Sequence, residues 1–323
     1  MNPLISIIIP TFNREHLILD ALETCVLQSY RPLEIVVVDD GSTDRTVGFV
    51  EDWNKGSSDK DVTLKIVKQE NKGGNVARNN GIKNSTGEFI AFLDSDDLWN
   101  TTKLKKQYAL ISQSDTIGGV YCGLRQVEVE SGKVISDDKR EYIEGFILSQ
   151  LLVKDVTAPT SSYLVRKKVF DLVGRFDETL QARQDWDMWI RLAEKYEIRA
   201  VHENLMDLRH HKGIRTASNP HKEINAYIKI RKKYQYLLEK QPSNIQKEAK
   251  ANFYKRLGRV HFHHNISKRI AFSYYIKGIL LFPKDFDNWA ALIGFFLPKI
   301  IRTKINGLWN KFFSKTKFAI RSH

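Results

Sequence analysis

Residues 89–97 read Phe89-Ile90-Ala91-Phe92-Leu93-Asp94-Ser95-Asp96-Asp97, five apolar residues running directly into three carboxylates within four positions. An uninterrupted apolar run of this length, bounded by polar residues, predicts a strand buried on both faces. Carboxylates crowded at the end of such a strand repel one another and resist burial. A divalent cation with oxygen ligands relieves that repulsion, and Mg²⁺ or Mn²⁺ typically takes one or two carboxylates and leaves the remaining positions to substrate phosphates. Capping of a following helix accounts for one Asp at this place and leaves the others unexplained.

Working outward, the same design repeats. Strands are expected at 5–9, 34–39, 63–68 and 89–93, with helices at 17–27, 43–53 and 75–84 between them. Near-continuous apolar strands alternating with amphipathic helices predict an α/β fold with a mainly parallel sheet covered on both faces. The strand-to-helix turns carry the polar signals: Pro10-Thr11-Phe12-Asn13-Arg14, Asp39-Asp40-Gly41-Ser42, Asn71-Lys72-Gly73-Gly74-Asn75 and the acidic run after Leu93. Ligands of open α/β sheets bind at the carboxyl ends of strands. There Phe12 offers an apolar face to a base, Asp40 an acceptor for a base N–H or ribose hydroxyl, and Arg14 and Arg78 cations for a phosphate. The first turn lacks the glycines of a dinucleotide-binding loop, which sets an oxidoreductase aside.

Beyond Tyr121 the pattern changes. Stretches 121–130 and 133–137 flank Ser131-Gly132 and predict an antiparallel hairpin. A helix is expected near 144–152, a strand at 161–166 and an aromatic-rich helix at 184–196. Within the last, Arg183-Gln184-Asp185-Trp186-Asp187-Met188-Trp189 places Asp185 at a helix start, where it serves as a cap or as a general base for a hydroxyl. Trp186 and Trp189 read most simply as core or pocket wall. After residue 220 the pattern is helical, at 224–238, 245–262 and 268–281, with Pro242 and Pro283 as breaks.

Charge divides the chain in the same way. The formal net charge is +13, yet residues 205–323 hold 25 Lys+Arg against 6 Asp+Glu, leaving 26 against 32 for residues 1–204. No nucleic-acid motif accompanies the basic part, so charge alone is no argument for that partner. Apolar residues near helical spacing in 300–313 (Ile301, Ile305, Leu308, Trp309, Phe312), with Lys304, Lys311 and Arg302 interspersed, suit an interfacial helix on anionic lipid; a helical packing module or a dimer interface is the alternative. No apolar stretch is long enough to span a bilayer, and 4–9 is too short for a signal-peptide core. Cys25 and Cys122 read as small buried hydrophobes in a reducing cytoplasm.

The ordered motifs PTFNR, VVVDDGSTD, NKGGNVARNNGI, GEFIAFLDSDDLW, GRFDE and QDWDMWIRLA resemble bacterial family 2 glycosyltransferases of the GT-A fold over about residues 4–215. The resemblance implies inverting transfer of a sugar from a nucleoside diphosphate donor, often a UDP-sugar, with Mn²⁺ or Mg²⁺. It assigns the metal–diphosphate site to Asp94, Ser95 and Asp96, with Asp96 the direct ligand and Asp97 in support. Pro10, Thr11, Phe12, Arg14, Asp40 and Arg78 take the nucleotide, and Asp185 becomes the base. The family most often has Glu before that Asp; this chain has Gln184. Leu208-Arg209-His210-His211-Lys212-Gly213 resembles an arginine–x–histidine loop, in which His211 joins the diphosphate or metal. The expected organisation is a catalytic domain at 1–217, with a donor half (about 1–115) and an acceptor half (about 116–217), then a basic helical region at 218–323. The acceptor class implied is a glycan or lipid-linked glycan of cell-surface polysaccharide synthesis, made by an enzyme in the cytoplasm or on the inner membrane face. A non-catalytic binding or scaffold protein is the rival reading, disfavoured by the intact acidic motifs.

Overall fold

A computed structural model describes residues 2–56, 59–210 and 219–297. The chain divides into two compact units, 1–218 and 219–323. The first unit opens with β1 (Ile5–Thr11), α1 (Ile18–Val26), β2 (Leu33–Asp39), α2 (Thr46–Gly56), β3 (Val62–Lys68), α3 (Gly74–Asn84) and β4 (Phe89–Phe92). Strands β3, β2, β1 and β4 lie side by side and parallel. The chain continues through β5 (Leu98–Trp99), α4 (Lys103–Ile111), β6 (Ile117–Glu128), β7 (Val134–Asp137), α5 (Leu148–Val153), a 3-10 turn at Thr160–Ser162, β8 (Leu164–Arg166), α6 (Val169–Val173), α7 (Gln184–Lys195) and β9 (Glu197–His210). The nine-stranded sheet runs β3-β2-β1-β4-β8-β6-β9-β5, with β7 beside β6. Strand β8 is antiparallel to both β4 and β6, whereas β9 runs parallel to β6.

The strand composition explains the layering. Ile5, Ile7 and Ile9 pack on one side with Ile18, Leu22 and Cys25 of α1 and Leu104 and Ile111 of α4, all buried. On the other side Ile8 meets α3 so closely that a Cβ on Gly81 would sit 2.3 Å from Ile8 Cγ2, which only glycine avoids. With helices on both faces, the isoleucines of β1 meet apolar neighbours on either side, so the strand reads as a run and not as an alternation. Both cysteines are fully buried and unpaired with each other; burial pushes the Cys122 thiol up to about 11 and the Cys25 thiol higher still.

The structure differs from the periodicity at α2, α4, β6 and β9. Helix α2 starts at Thr46 and not at residue 43, because Asp44 Oδ1 accepts the Thr46 N–H at 2.9 Å and makes the N-terminal cap that Ser42 and Thr43 do not supply. The 14-residue β9 and the 9-residue α4 carry no expected counterpart. Strand β6 begins at Ile117, upstream of the expected hairpin, which itself forms as β6 against β7.

The second unit is helical: α8 (Pro220–Lys233), α9 (Gln235–Glu239), α10 (Ser243–His263), α11 (Lys268–Leu281) and α12 (Phe286–Phe296). Asn219, Ser267 and Asp285 cap α8, α11 and α12 with their side chains. Gly258 lets α10 approach α11, since a Cβ there would meet the Tyr275 ring at 2.7 Å. A buried Lys255–Asp285 ion pair at 2.8 Å ties α10 to the start of α12. Among the described residues no helix is long and apolar enough to cross a membrane. The segment 300–313, His211 and Trp309 lie outside the described residues.

Candidate active site

The acidic run after β4 is held by a set of donors that its sequence does not advertise. Asp97 is 1% exposed. Its Oδ2 accepts the Ser161 hydroxyl at 2.8 Å and its Oδ1 the Arg209 N–H at 3.2 Å. Burial, with the nearby charges of Asp94 and Asp96, pushes the Asp97 carboxyl well above the usual carboxylate range. Ser161 Oγ in turn accepts the Asp94 N–H at 3.0 Å, so one hydroxyl ties both ends of the tetrapeptide. Arg209, at the end of β9, donates from Nε to the Asp96 carbonyl at 2.6 Å and from Nη1 to Asp20 at 2.6 Å. Carboxylate repulsion is thus met by arginines and hydroxyl groups of the chain itself. Asp97 is a structural anchor, leaving Asp94 and Asp96 as the partly exposed pair.

Two further cations complete the arrangement. Arg78, buried on α3, bonds Asp94 Oδ1 at 2.5 Å, while its Nε is buried without a hydrogen-bond partner. Arg14 Nη2 lies 3.9 Å from Asp96 Oδ2. The Arg14 backbone N–H donates to Thr46 Oγ1 at 2.7 Å, and Asn13, in a left-handed conformation (φ 51°), accepts the Thr43 N–H at 2.8 Å. These bonds lock the first turn to the second. Phe12 projects beside them, 41% exposed, and Pro10 is half-buried.

The second turn changes one expectation. Asp40 is buried, and its carboxylate already accepts three protein donors: Gln69 Nε2 at 2.7 Å, the Lys72 N–H at 2.8 Å and the Gly73 N–H at 2.8 Å. It fastens the glycine turn, where Gly73 adopts φ 92°. The open acceptor at this strand end belongs to Asp39, whose Oδ1 is buried without a hydrogen-bond partner, as is Thr11 Oγ1 on the neighbouring strand. Buried polar atoms left unsatisfied cost free energy and mark places where a ligand completes the bonding.

Helix α3 supports the site from below. Asn75 Nδ2 donates to the Asp177 and Leu180 carbonyls at 3.0 and 2.8 Å. Asn79 accepts the Phe176 N–H at 2.9 Å and donates to the Phe176 carbonyl at 2.9 Å. The segment Arg175–Leu180 is therefore docked on α3 by two amides one helical turn apart.

Asp185 sits half-buried in the first turn of α7, where its Oδ1 accepts the Trp186 N–H at 2.9 Å. Arg183 precedes the helix at φ 56°. Burial pushes the Tyr163 phenol well above its ordinary value, and the charges of Asp155 and Asp185 add to the shift. Asp185 thereby lies within electrostatic reach of the Ser161–Tyr163 strip that holds Asp94 and Asp97. Trp189 stacks on Tyr163 with centroids 3.6 Å apart, and Trp186 Nε1 donates to the Leu151 carbonyl at 2.8 Å, so both indoles are core.

The structure thus brings Arg14, Arg78, Asp94 and Asp96 together, with Asp39 and Thr11 at the adjoining strand ends. Ser95 is buried in the turn. The sequence reading did not single out Arg209, Ser161 or Asp20; Arg209 was visible only as the first letter of the loop motif around His211. Among the described residues no three His, Cys, Asp or Glu side chains converge on one point. Two partly exposed carboxylates nevertheless fit a Mg²⁺- or Mn²⁺-type cation that draws its other ligands from phosphate and water.

Comparison with known proteins identifies the family and the fold. The sequence description of "Glycosyl transferase family 2" matches residues 6–172. An uncharacterized glycosyltransferase of Rickettsia typhi is 30% identical over 213 residues, 65% of each chain. One of Rickettsia felis is 31% identical over 227 residues, covering 70% of this chain and 36% of that one. The chain therefore spans less than two thirds of the length of these relatives. Among solved structures, Staphylococcus aureus TarS 1–349 in complex with UDP-GlcNAc has a TM-score of 0.57 at 20% identity, covering 90% of this chain and 91% of that one. The mannosyltransferase PcManGT of Pyrobaculum calidifontis, in complex with GDP-Man and Mn²⁺, has a TM-score of 0.58 at 18% identity, covering 96% and 88%. At these identities the likeness establishes the fold, which is GT-A, while the match over more than half the chain establishes that the protein belongs to glycosyl transferase family 2.

Proposed function

We propose that the protein transfers a sugar from a nucleoside diphosphate donor, a UDP-sugar, to a hydroxyl of a glycan or lipid-linked glycan, with inversion at the anomeric carbon. The observation that carries this reading is the pair Asp94 and Asp96, partly exposed at a strand end and faced by Arg78 and Arg14. Asp94 and Asp96 would hold Mn²⁺ or Mg²⁺, and such an ion neutralises charge on a departing diphosphate. His211, by its place in the loop motif, is a further candidate at the diphosphate. Phe12 offers its exposed face to the base, and the unsatisfied Asp39 Oδ1 and Thr11 Oγ1 await donors and acceptors of the nucleoside. Arg14 and Arg78 place positive charge where the leaving group gains negative charge, the electrostatic effect expected to contribute most. Asp185 takes the proton of the acceptor hydroxyl as its oxygen attacks the anomeric carbon from the face opposite the diphosphate.

The cell-surface polysaccharide pathway and a site of action on the cytoplasmic side belong to the same proposal. Asp185→Asn keeps a side-chain oxygen for the Trp186 N–H while removing the base. Transfer should fall by about 10²- to 10⁴-fold with donor affinity unchanged. An equal fall in donor affinity would reject the base role.

A further inference from the structure

The last helix among the described residues, α12, is little covered by its neighbours. Only Asn288 of α12 is buried. Phe286, Trp289, Ile293 and Phe296 are 59, 41, 50 and 69% exposed, and their spacing of three, four and three residues sets them in one stripe along the helix. The stripe is continuous with exposed Phe272 on α11, whose ring lies 6.0 Å from that of Phe296. An apolar stripe of this length left to water marks a binding surface.

Charge says what binds it. Residues 219–323 carry 22 Lys+Arg against 5 Asp+Glu. On the described helices, Lys268, Arg269 and Lys277 of α11 and Lys284 before α12 are exposed. The described residues of this unit alone, 219–297, hold 15 Lys+Arg against 5 Asp+Glu. A second copy of so basic a unit would repel this one, whereas an anionic bilayer satisfies both features at once: acyl chains for the stripe, headgroups for the cations. Helix α12 is too short to span a membrane, so it would lie in the interface.

We infer that the α12 stripe, together with the exposed basic residues Lys268, Arg269, Lys277 and Lys284, docks the protein on an anionic phospholipid surface. This inference goes beyond the proposed chemistry and is read without any donor, so either can fail alone. The test is co-sedimentation of the full chain with phosphatidylcholine vesicles, with and without phosphatidylglycerol, at low and high salt. Binding should require phosphatidylglycerol and weaken with salt. The pair Ile293→Glu and Phe296→Glu, both solvent-exposed, should lower partition roughly tenfold or more, whereas Ile293→Leu with Phe296→Leu should retain it. Donor hydrolysis and circular dichroism of both variants should match the wild type. Equal binding to neutral vesicles, undiminished partition of the glutamate pair, or loss of self-association in that pair without loss of vesicle binding would overturn the inference.

Discussion

Replacing Arg209 by Ala tests whether the acidic turn is positioned from outside its own strand. The substitution removes the Nε donor to the Asp96 carbonyl at 2.6 Å and the Asp20 ion pair, but spares the backbone N–H that bonds Asp97. A hydrogen bond from a charged donor to a buried acceptor is worth roughly 1.5–3 kcal/mol. The Asp20 partner is 54% exposed, so its pair adds less than about 1 kcal/mol. The expected loss is therefore about 2–4 kcal/mol, a fall in Tm on the order of 5–10 °C. The functional effect should exceed what stability alone implies, because a displacement of about 1 Å in a positioning group costs about 10²-fold in rate. Urea denaturation and donor hydrolysis, with kcat and KM separated, read the two effects independently. Arg209→Lys should not rescue, since one ammonium cannot reach the Asp96 carbonyl and Asp20 together. An Ala variant that loses stability yet keeps kcat/KM within about twofold, below ~0.5 kcal/mol, would reduce Arg209 to a structural residue.

Two more outcomes follow from buried polar groups. Asn79→Ala strands the N–H and carbonyl of Phe176, which should cost about 2–4 kcal/mol of stability; a urea midpoint like that of the wild type would show that the Arg175–Leu180 segment is not docked through α3. Lys103 is fully buried, 2.9 Å from Gln107 Oε1 and 3.9 Å from the Trp99 ring centre, and burial lowers its pKa from 10.5 to about 8. The folded protein releases this proton before the unfolded chain does. Between about pH 8 and 10.5 the unfolded state thus binds more protons and stability rises with pH, by up to about 3 kcal/mol. Lys103→Met should flatten that rise relative to the wild type, and an identical slope in both proteins would show that Lys103 is not the group responsible.

Strands β1, β2 and β4 were legible because both faces are covered, which leaves a nearly continuous apolar run in each, whereas the edge strand β3 showed itself by alternation, with Val62, Leu64 and Ile66 turned inward and Thr63 and Lys65 exposed. Strand β9 was not. Its sequence, EIRAVHENLMDLRH, mixes charges with apolar residues because much of it is only partly buried, and neither a run nor an alternation survives. Helix α4 was hidden by the opposite effect: its inward positions include Lys103 and Gln107, so the buried face does not look apolar. At the site, residue types and motif order marked Asp94, Asp96 and Asp185. That Asp40 is occupied by the protein's own donors could not be read, because it depends on which carboxylate meets the amides of a turn some thirty residues away. Arg209 escaped for a similar reason, lying more than a hundred residues from the turn it holds.

The central claim is that Asp94 and Asp96 bind a donor diphosphate through a divalent cation. Calorimetric titration of UDP into the full chain with Mn²⁺, with Mg²⁺ and with chelator tests it most directly, using the wild type and Asp96→Ala. The account predicts binding that requires the cation in the wild type and is lost in the variant. Cation-independent binding of equal strength in both proteins would contradict it.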